Sequence, residues 1–135
     1  MQLHVLKAGT QGEINAAFLE LAKLHADALV VADDAGFYNQ HDQFAVLAAR
    51  YSLPAIYELG EYVAAGGLIS YGTSLVGAYR LSAAFVTRVL AGAKPADLPV
   101  QQPTKFELVI DLKAAKALDL TIPPTLLARV DKVIE

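Results

Sequence analysis

Five apolar residues, Ala28-Leu29-Val30-Val31-Ala32, stand between Asp27 and the pair Asp33-Asp34. A run that is apolar at every position offers water no polar face, so as a strand it needs cover on both sides. Upstream of it, Ile14, Ala17, Phe18, Leu21 and Leu24 recur at helical spacing behind Thr10 or Gln11, either of which can cap a helix. Downstream, Phe44, Leu47 and Ala48 mark a second helix from about Gln40 to Tyr51. Leu53-Pro54-Ala55-Ile56-Tyr57 reads as a further strand, its proline at the start where a lost N–H costs little. Gln2–Lys7 alternates apolar and polar residues enough for a short strand ahead of the first helix. Strands alternating with helices at this spacing predict an open parallel α/β sheet.

Gly66-Gly67 interrupts the alternation. Leu68–Gly72 then reads as a strand, and Leu75–Ala91 as a long amphipathic helix on Val76, Tyr79, Ala83, Val86 and Leu90. Gly92 stands where a left-handed C-cap belongs. Prolines 95, 99 and 103 make residues 94–104 extended and stiff. Phe106–Ile110 reads as a strand, Leu112–Leu118 as a short helix, and Asp119 as the point where the chain reverses. Pro123-Pro124 predicts a last helix over Thr125–Ile134.

In an open parallel sheet, ligands collect beyond the carboxyl ends of the strands. Asp33, Asp34, Phe37 and Tyr38 follow the most apolar run at that end, and Tyr57 and Glu58 hold the equivalent place after the next strand. Two such loops face one crevice and can grip a small polar solute by charge, hydrogen bonding and stacking. Tyr71, with Gly72 and Thr73, closes the third strand. The structural alternative is that Asp34 caps a helix, Phe37 packs on the sheet and Tyr57 packs on the helix that follows it.

Several function classes are disfavoured. With 135 residues the chain suits one domain. Its mean hydropathy of +0.39 is high, yet no apolar run approaches the roughly 20 residues of a membrane helix. No basic start followed by an apolar segment marks a signal peptide. A net charge of −3 with scattered Lys and Arg argues against a nucleic-acid partner. Without cysteine there is neither disulfide nor thiolate zinc site, and His4, His25 and His41 lack the spacing that sets two imidazoles on one helical face. Tyr71-Gly72-Thr73 has no dinucleotide or P-loop spacing, and no G-x-S-x-G elbow supports a nucleophile. No catalytic residue, metal or cofactor is therefore expected.

The segments PAIYELGEYVAAGGLISYGTSLVGAYR and LAGAKPADLPVQQPTKFELVIDLKAAKALDLTIPPTLLARVDKVIE resemble the C-terminal half of ABC-transporter substrate-binding proteins. The resemblance covers essentially the whole chain. It implies a type I periplasmic-binding fold of two lobes, each a doubly wound α/β sheet, with the ligand in the cleft between them. On it, residues 1–65 correspond to a partial second-lobe unit, 66–104 to a return strand and helix with a Pro-rich crossover, and 105–135 to a C-terminal strand and helices. The fold class is then a partial doubly wound parallel sheet plus interlobe return segments. The resemblance places Asp33, Asp34, Phe37 and Tyr38 in one cleft loop, Tyr57 and Glu58 in the next, and Tyr71 and Gly72 near the hinge.

It further implies capture of a small organic solute, an amino acid among the candidates, without chemistry or cofactor. An ABC permease is the implied partner and the implied location is periplasmic, or extracytoplasmic and membrane-anchored. Family members usually carry glycine where this chain has Asp119. The first lobe and the first strand and helix of the second have no counterpart here, so the chain reads as a piece of such a protein. Its open sheet edge is expected to be covered by homo-oligomerisation or strand exchange. Two rival readings are a ligand-sensing effector domain of a regulator and a small α/β enzyme using Asp33, Asp34 or His41.

Overall fold

Thr10 opens the first helix, α1 (Gln11–Lys23), and fixes where it begins. Its hydroxyl accepts from the Glu13 N–H at 3.3 Å, while the Glu13 carboxylate accepts from the N–H groups of Thr10 at 3.0 Å and Gly9 at 2.8 Å. This reciprocal capping box decides between Thr10 and Gln11 as the cap. The Gly9 bond, then the two to Thr10, hold the Glu13 carboxyl below its ordinary range. Ile14, Phe18 and Leu21 form the buried stripe of the helix.

The computed structural model describes residues 2–103 and 105–135. After α1 come β1 (Leu29–Val30), α2 (Ala35–Tyr38), α3 (His41–Arg50), β2 (Ala55–Tyr57), α4 (Gly60–Ala64), β3 (Ile69–Thr73) and α5 (Leu75–Leu90). They are followed by β4 (Phe106–Asp111), α6 (Leu112–Ala117), α7 (Pro124–Leu127) and β5 (Lys132–Ile134). The strands form one sheet in the order β1-β2-β3-β4-β5. β1, β2 and β3 run parallel, β4 returns antiparallel to β3, and β5 is parallel to β4. The result is a mostly parallel sheet flanked by helices, the architecture of a periplasmic-binding lobe. Strands from 1–65, 66–104 and 105–135 all contribute to it.

The largest cluster of buried side chains sits under the N-terminal half. Ile14, Phe18 and Leu21 from α1 meet Phe44, Leu47 and Ala48 from α3, with Ala55 and Tyr57 from β2 and Tyr62 from α4. Phe18 lies 6.1 Å from Phe44 and 6.0 Å from Tyr51, ring centre to ring centre. Fully burying side chains of this size contributes about 1.5–3 kcal/mol each.

Four expectations need correction. Gln2–Lys7 forms no strand: alternation supplies the pattern, but a ladder needs a paired neighbour, and Leu3 and Val5 stand exposed. The run 28–32 is covered on one face only. Val31 is buried with the helices, whereas Val30, pointing the other way, is 76% exposed. The helix expected over Thr125–Ile134 stops at Leu127, and β5 takes its place. Asp131 makes that switch, since its N–H donates to the Leu108 carbonyl at 2.9 Å and its carboxylate accepts from the Leu108 N–H at 2.9 Å. Val130, Val133 and Ile134 are β-branched and suit the ladder this clamp starts. Finally, the Pro-rich stretch is not extended throughout, because Pro95–Asp97 makes a 3-10 turn. Its last residue, Thr104, lies outside the described residues, as does Met1.

α5 starts at Ser74, whose hydroxyl accepts from the Gly77 N–H at 3.3 Å, and ends just before Gly92 at φ 98°. None of its residues is buried among those described. Asp119 adopts φ 59° at the end of α6, the reversal expected of it. No helix among the described residues is long and apolar enough to cross a membrane.

Candidate functional site

Leu29 pairs with Ala55 and Val30 with Ile56, so the parallel strands β1 and β2 reach their carboxyl ends side by side. The loops leaving those ends carry Asp33 and Asp34 from one strand and Glu58 from the other. A small depression lies between them, bordered also by Val31, Tyr38 and Tyr62. Its enclosed volume is about 10 Å³, room for roughly one water. It is a ledge rather than a closed cavity.

Glu58 and Asp33 border this ledge together. Desolvation, then the neighbouring Asp33 carboxyl, push the Glu58 carboxyl above its ordinary range. The ion pairs among the described residues are Lys23–Glu20, His41–Asp42 and Lys105–Glu107, so none neutralises Asp33, Asp34 or Glu58. β3 backs the ledge closely. A methyl group on Gly72 would overlap the Glu58 carbonyl and come within 2.6 Å of its Cγ. Only a residue without Cβ lets the strand run here.

Asp34 does two things at once. It borders the ledge, and its Oδ1 accepts from the Gly36 N–H at 2.7 Å to cap α2. Phe37 turns away from the ledge and sits edge-on to Phe44 at 5.0 Å, against the core. Tyr38 stays at the border and stacks on His41 at 5.7 Å. The His41 Nδ1 lies 2.7 Å from the Tyr38 carbonyl, and since a carbonyl only accepts, Nδ1 carries the proton in that contact.

Tyr57 lies beneath the ledge, not on it. The side chain is 2% exposed and its ring stacks on Tyr62 at 4.7 Å, so it packs on the helix that follows its strand. Its hydroxyl finds no partner among the described residues, and burial, with Tyr62 alongside, drives the phenol strongly upward. Tyr71 is on another part of the surface, 58% exposed and stacked on Phe106 at 5.8 Å. Of the seven candidates, Asp33, Asp34, Tyr38 and Glu58 are therefore brought together, Phe37 and Tyr57 support them from below, and Tyr71 stands apart.

Tyr62 is the residue the sequence reading missed. It is 5% exposed, edge-on to His41 at 6.0 Å, and faces Asp33, Asp34 and Glu58. Desolvation first and those three carboxyls next push its phenol up to about 12. The available signal was spacing: Tyr62 follows Glu58 by four residues, so a short helix starting at Gly60 folds it back onto the same ledge. No group of three or more metal-ligating side chains forms among the described residues.

Known proteins share this fold. The chain is similar to a conserved domain protein of Vibrio cholerae O1 biovar El Tor, at 26% identity and a TM-score of 0.84, covering 93% of this chain and 42% of that one. It is equally similar to an ABC domain of Streptococcus pneumoniae in complex with L-Trp, at 26% identity and a TM-score of 0.84, covering 94% of this chain and 44% of that one. The ligand-free, open substrate-binding protein CD0873 of Clostridium difficile shares the fold, at 20% identity and a TM-score of 0.62, over 93% of this chain and 41% of its own. The chain thus spans less than half the length of these structures. No curated protein sequence matches it. The family profile for ABC transporter substrate binding proteins matches residues 1–134, and the chain belongs to that family.

Proposed function

We propose that this chain supplies one wall of a cleft that captures a small organic solute, an amino acid among the candidates, for an ABC importer. Asp33, Asp34, Tyr38 and Glu58 line the wall, with Tyr62 behind them. The observation that carries this reading is the set of three carboxyls without a counter-charge among the described residues, placed where two parallel strands end. A fixed array of charge at the carboxyl end of an open sheet is what orients a polar solute. The Streptococcus pneumoniae domain, similar over 94% of this chain, is in complex with L-Trp, which favours an amino acid.

In this reading the solute bridges two walls, and contacts from both favour a closed arrangement over an open one. The segment from β3 through α5 to β4 is the return path to the opposite wall, and Tyr71 lies on it near the hinge. The chain acts outside the cytoplasm, hands its solute to a permease and changes no covalent bond. With one wall present, affinity for amino acids is weaker than micromolar. Amide NMR titration with a panel of L-amino acids tests this. Shifts confined to residues 33–38 and 57–62 support it. Shifts elsewhere only, or none, overturn it.

A further inference from the structure

Two unpaired stretches of backbone border one hollow. β1 is the edge strand of the sheet and pairs with β2 alone. The Leu29 and Val31 N–H groups donate to the Pro54 and Ile56 carbonyls, at 2.8 and 3.0 Å. Backbone groups alternate sides along a strand, so those of Val30 point outward to a free edge. Along that edge lies a hollow of about 230 Å³, lined by Leu29–Ala32, by Leu3–Leu6 and by Ile14 and Phe18 of the core.

Residues 2–7 are the second stretch. They alternate as a strand does, yet no backbone hydrogen bond among the described residues holds them, and Leu3 and Val5 stand exposed. The point where they join α1 is fixed, because the Glu13 carboxylate accepts from the N–H groups of Gly9 and Thr10. The strand that β1 lacks is thus carried by the chain but not laid against it. Charge completes the match. Lys7 is the one formal charge on residues 2–7, while the run 28–32 is bracketed by Asp27 and Asp33-Asp34 with no cation between them. None of these four residues takes part in an ion pair among those described. Laid beside β1, the segment brings Lys7 to Asp33 if parallel and to Asp27 if antiparallel.

We propose that two copies of this chain exchange residues 2–7, each segment adding a strand to the outer edge of the other copy's β1. Exchange of an identical element closes at two copies and uses one interface twice. Each copy gains hydrogen bonds for its free edge, cover for Val30 from the incoming Leu3 and Val5, and one Lys–Asp pair. Association by this route does not depend on solute binding.

The chain has no cysteine, so introduced thiols report single contacts. Val5→Cys and Val30→Cys are placed in separate full-length chains, mixed at high concentration and joined with a short bis-maleimide. A covalent pair holding one copy of each variant is expected to outweigh either variant joined to itself. Light scattering of the parent is expected to show dimers as concentration rises. Val5→Pro removes a ladder N–H and is expected to abolish them without lowering the melting temperature of the dilute protein. Lys7→Glu is expected to raise the dissociation constant about tenfold, since the Lys–Asp pair is made twice per dimer. A parent that stays monomeric, or dimers that survive Val5→Pro, would overturn the exchange. So would Val30→Cys joined mainly to itself, which would mean that the two β1 edges pair directly.

Discussion

Gly72 and Glu58 touch backbone to backbone: a Cβ on Gly72 would lie 3.0 Å from the Glu58 carbonyl carbon and closer still to its oxygen. β3 and the loop after β2 are thereby locked together at the spot where Glu58 turns toward Asp33. Gly72→Ala must push one of the two away, at a cost of about 1–3 kcal/mol. Thermal melting should show that loss, and the carboxyl resonance of Glu58 should move toward an ordinary glutamate titration. An alanine variant that melts like the parent would mean the contact is slack.

Glu58→Gln should stabilise the protein at neutral pH. A carboxyl whose folded midpoint is raised favours folding while it is protonated, fully so below its ordinary value of 4.5, and that contribution is lost as pH rises through the raised midpoint. Glutamine stays neutral throughout. The variant should therefore gain on the parent in melting experiments near pH 7 and lose its advantage near pH 4. Glu13, whose midpoint is lowered, has the opposite sign: its capping bonds hold above 4.5 and are lost as pH falls through the lowered value. It is present in both proteins and cancels in the comparison.

Asp34 both caps α2 and borders the ledge, and two substitutions separate these roles. Asp34→Asn keeps an oxygen for the Gly36 N–H and removes the charge, whereas Asp34→Ala removes both. Alanine should cost about 1 kcal/mol of stability and asparagine much less. A solute response lost in both variants would assign the charge to binding. A response lost in alanine alone would assign it to the shape of the loop.

The outer edge of β1 invites self-association. Val30 and Leu3 are 76% and 81% exposed, side by side with an unpaired strand edge. Light scattering should show dimers or larger species as concentration rises, and Val30→Lys should reduce them, because a charged side chain on an edge strand opposes pairing. A monodisperse parent at all concentrations would contradict this.

The sheet and the positions of most helices were legible because they follow from side-chain periodicity, which is local. Thr10, Gly92 and Asp119 were legible for the same reason, each being a backbone position with few acceptable residue types. What periodicity does not contain is the partner. Gln2–Lys7 has the right alternation but no neighbour to pair with. Residues 131–134 look like the end of a helix until Leu108, distant in sequence, takes both hydrogen bonds of Asp131. At the ledge, Asp33, Asp34, Tyr38 and Glu58 could be found from the ends of two strands. Tyr57 could be placed under the sheet only by strand parity and the Tyr62 ring. Tyr62 was hidden because a five-residue helix is too short to announce itself.

Thr73 and Phe106 are register partners across the antiparallel step. The described residues between them lie outside the sheet, which the chain re-enters at the residue pair where it left, like the two legs of a staple. A tight hairpin turn in place of that excursion would leave all five strands in their order. Twisting the excursion, by contrast, would wring the pair of strands next to Glu58, so a movement made far out on α5 would be felt first at the acids.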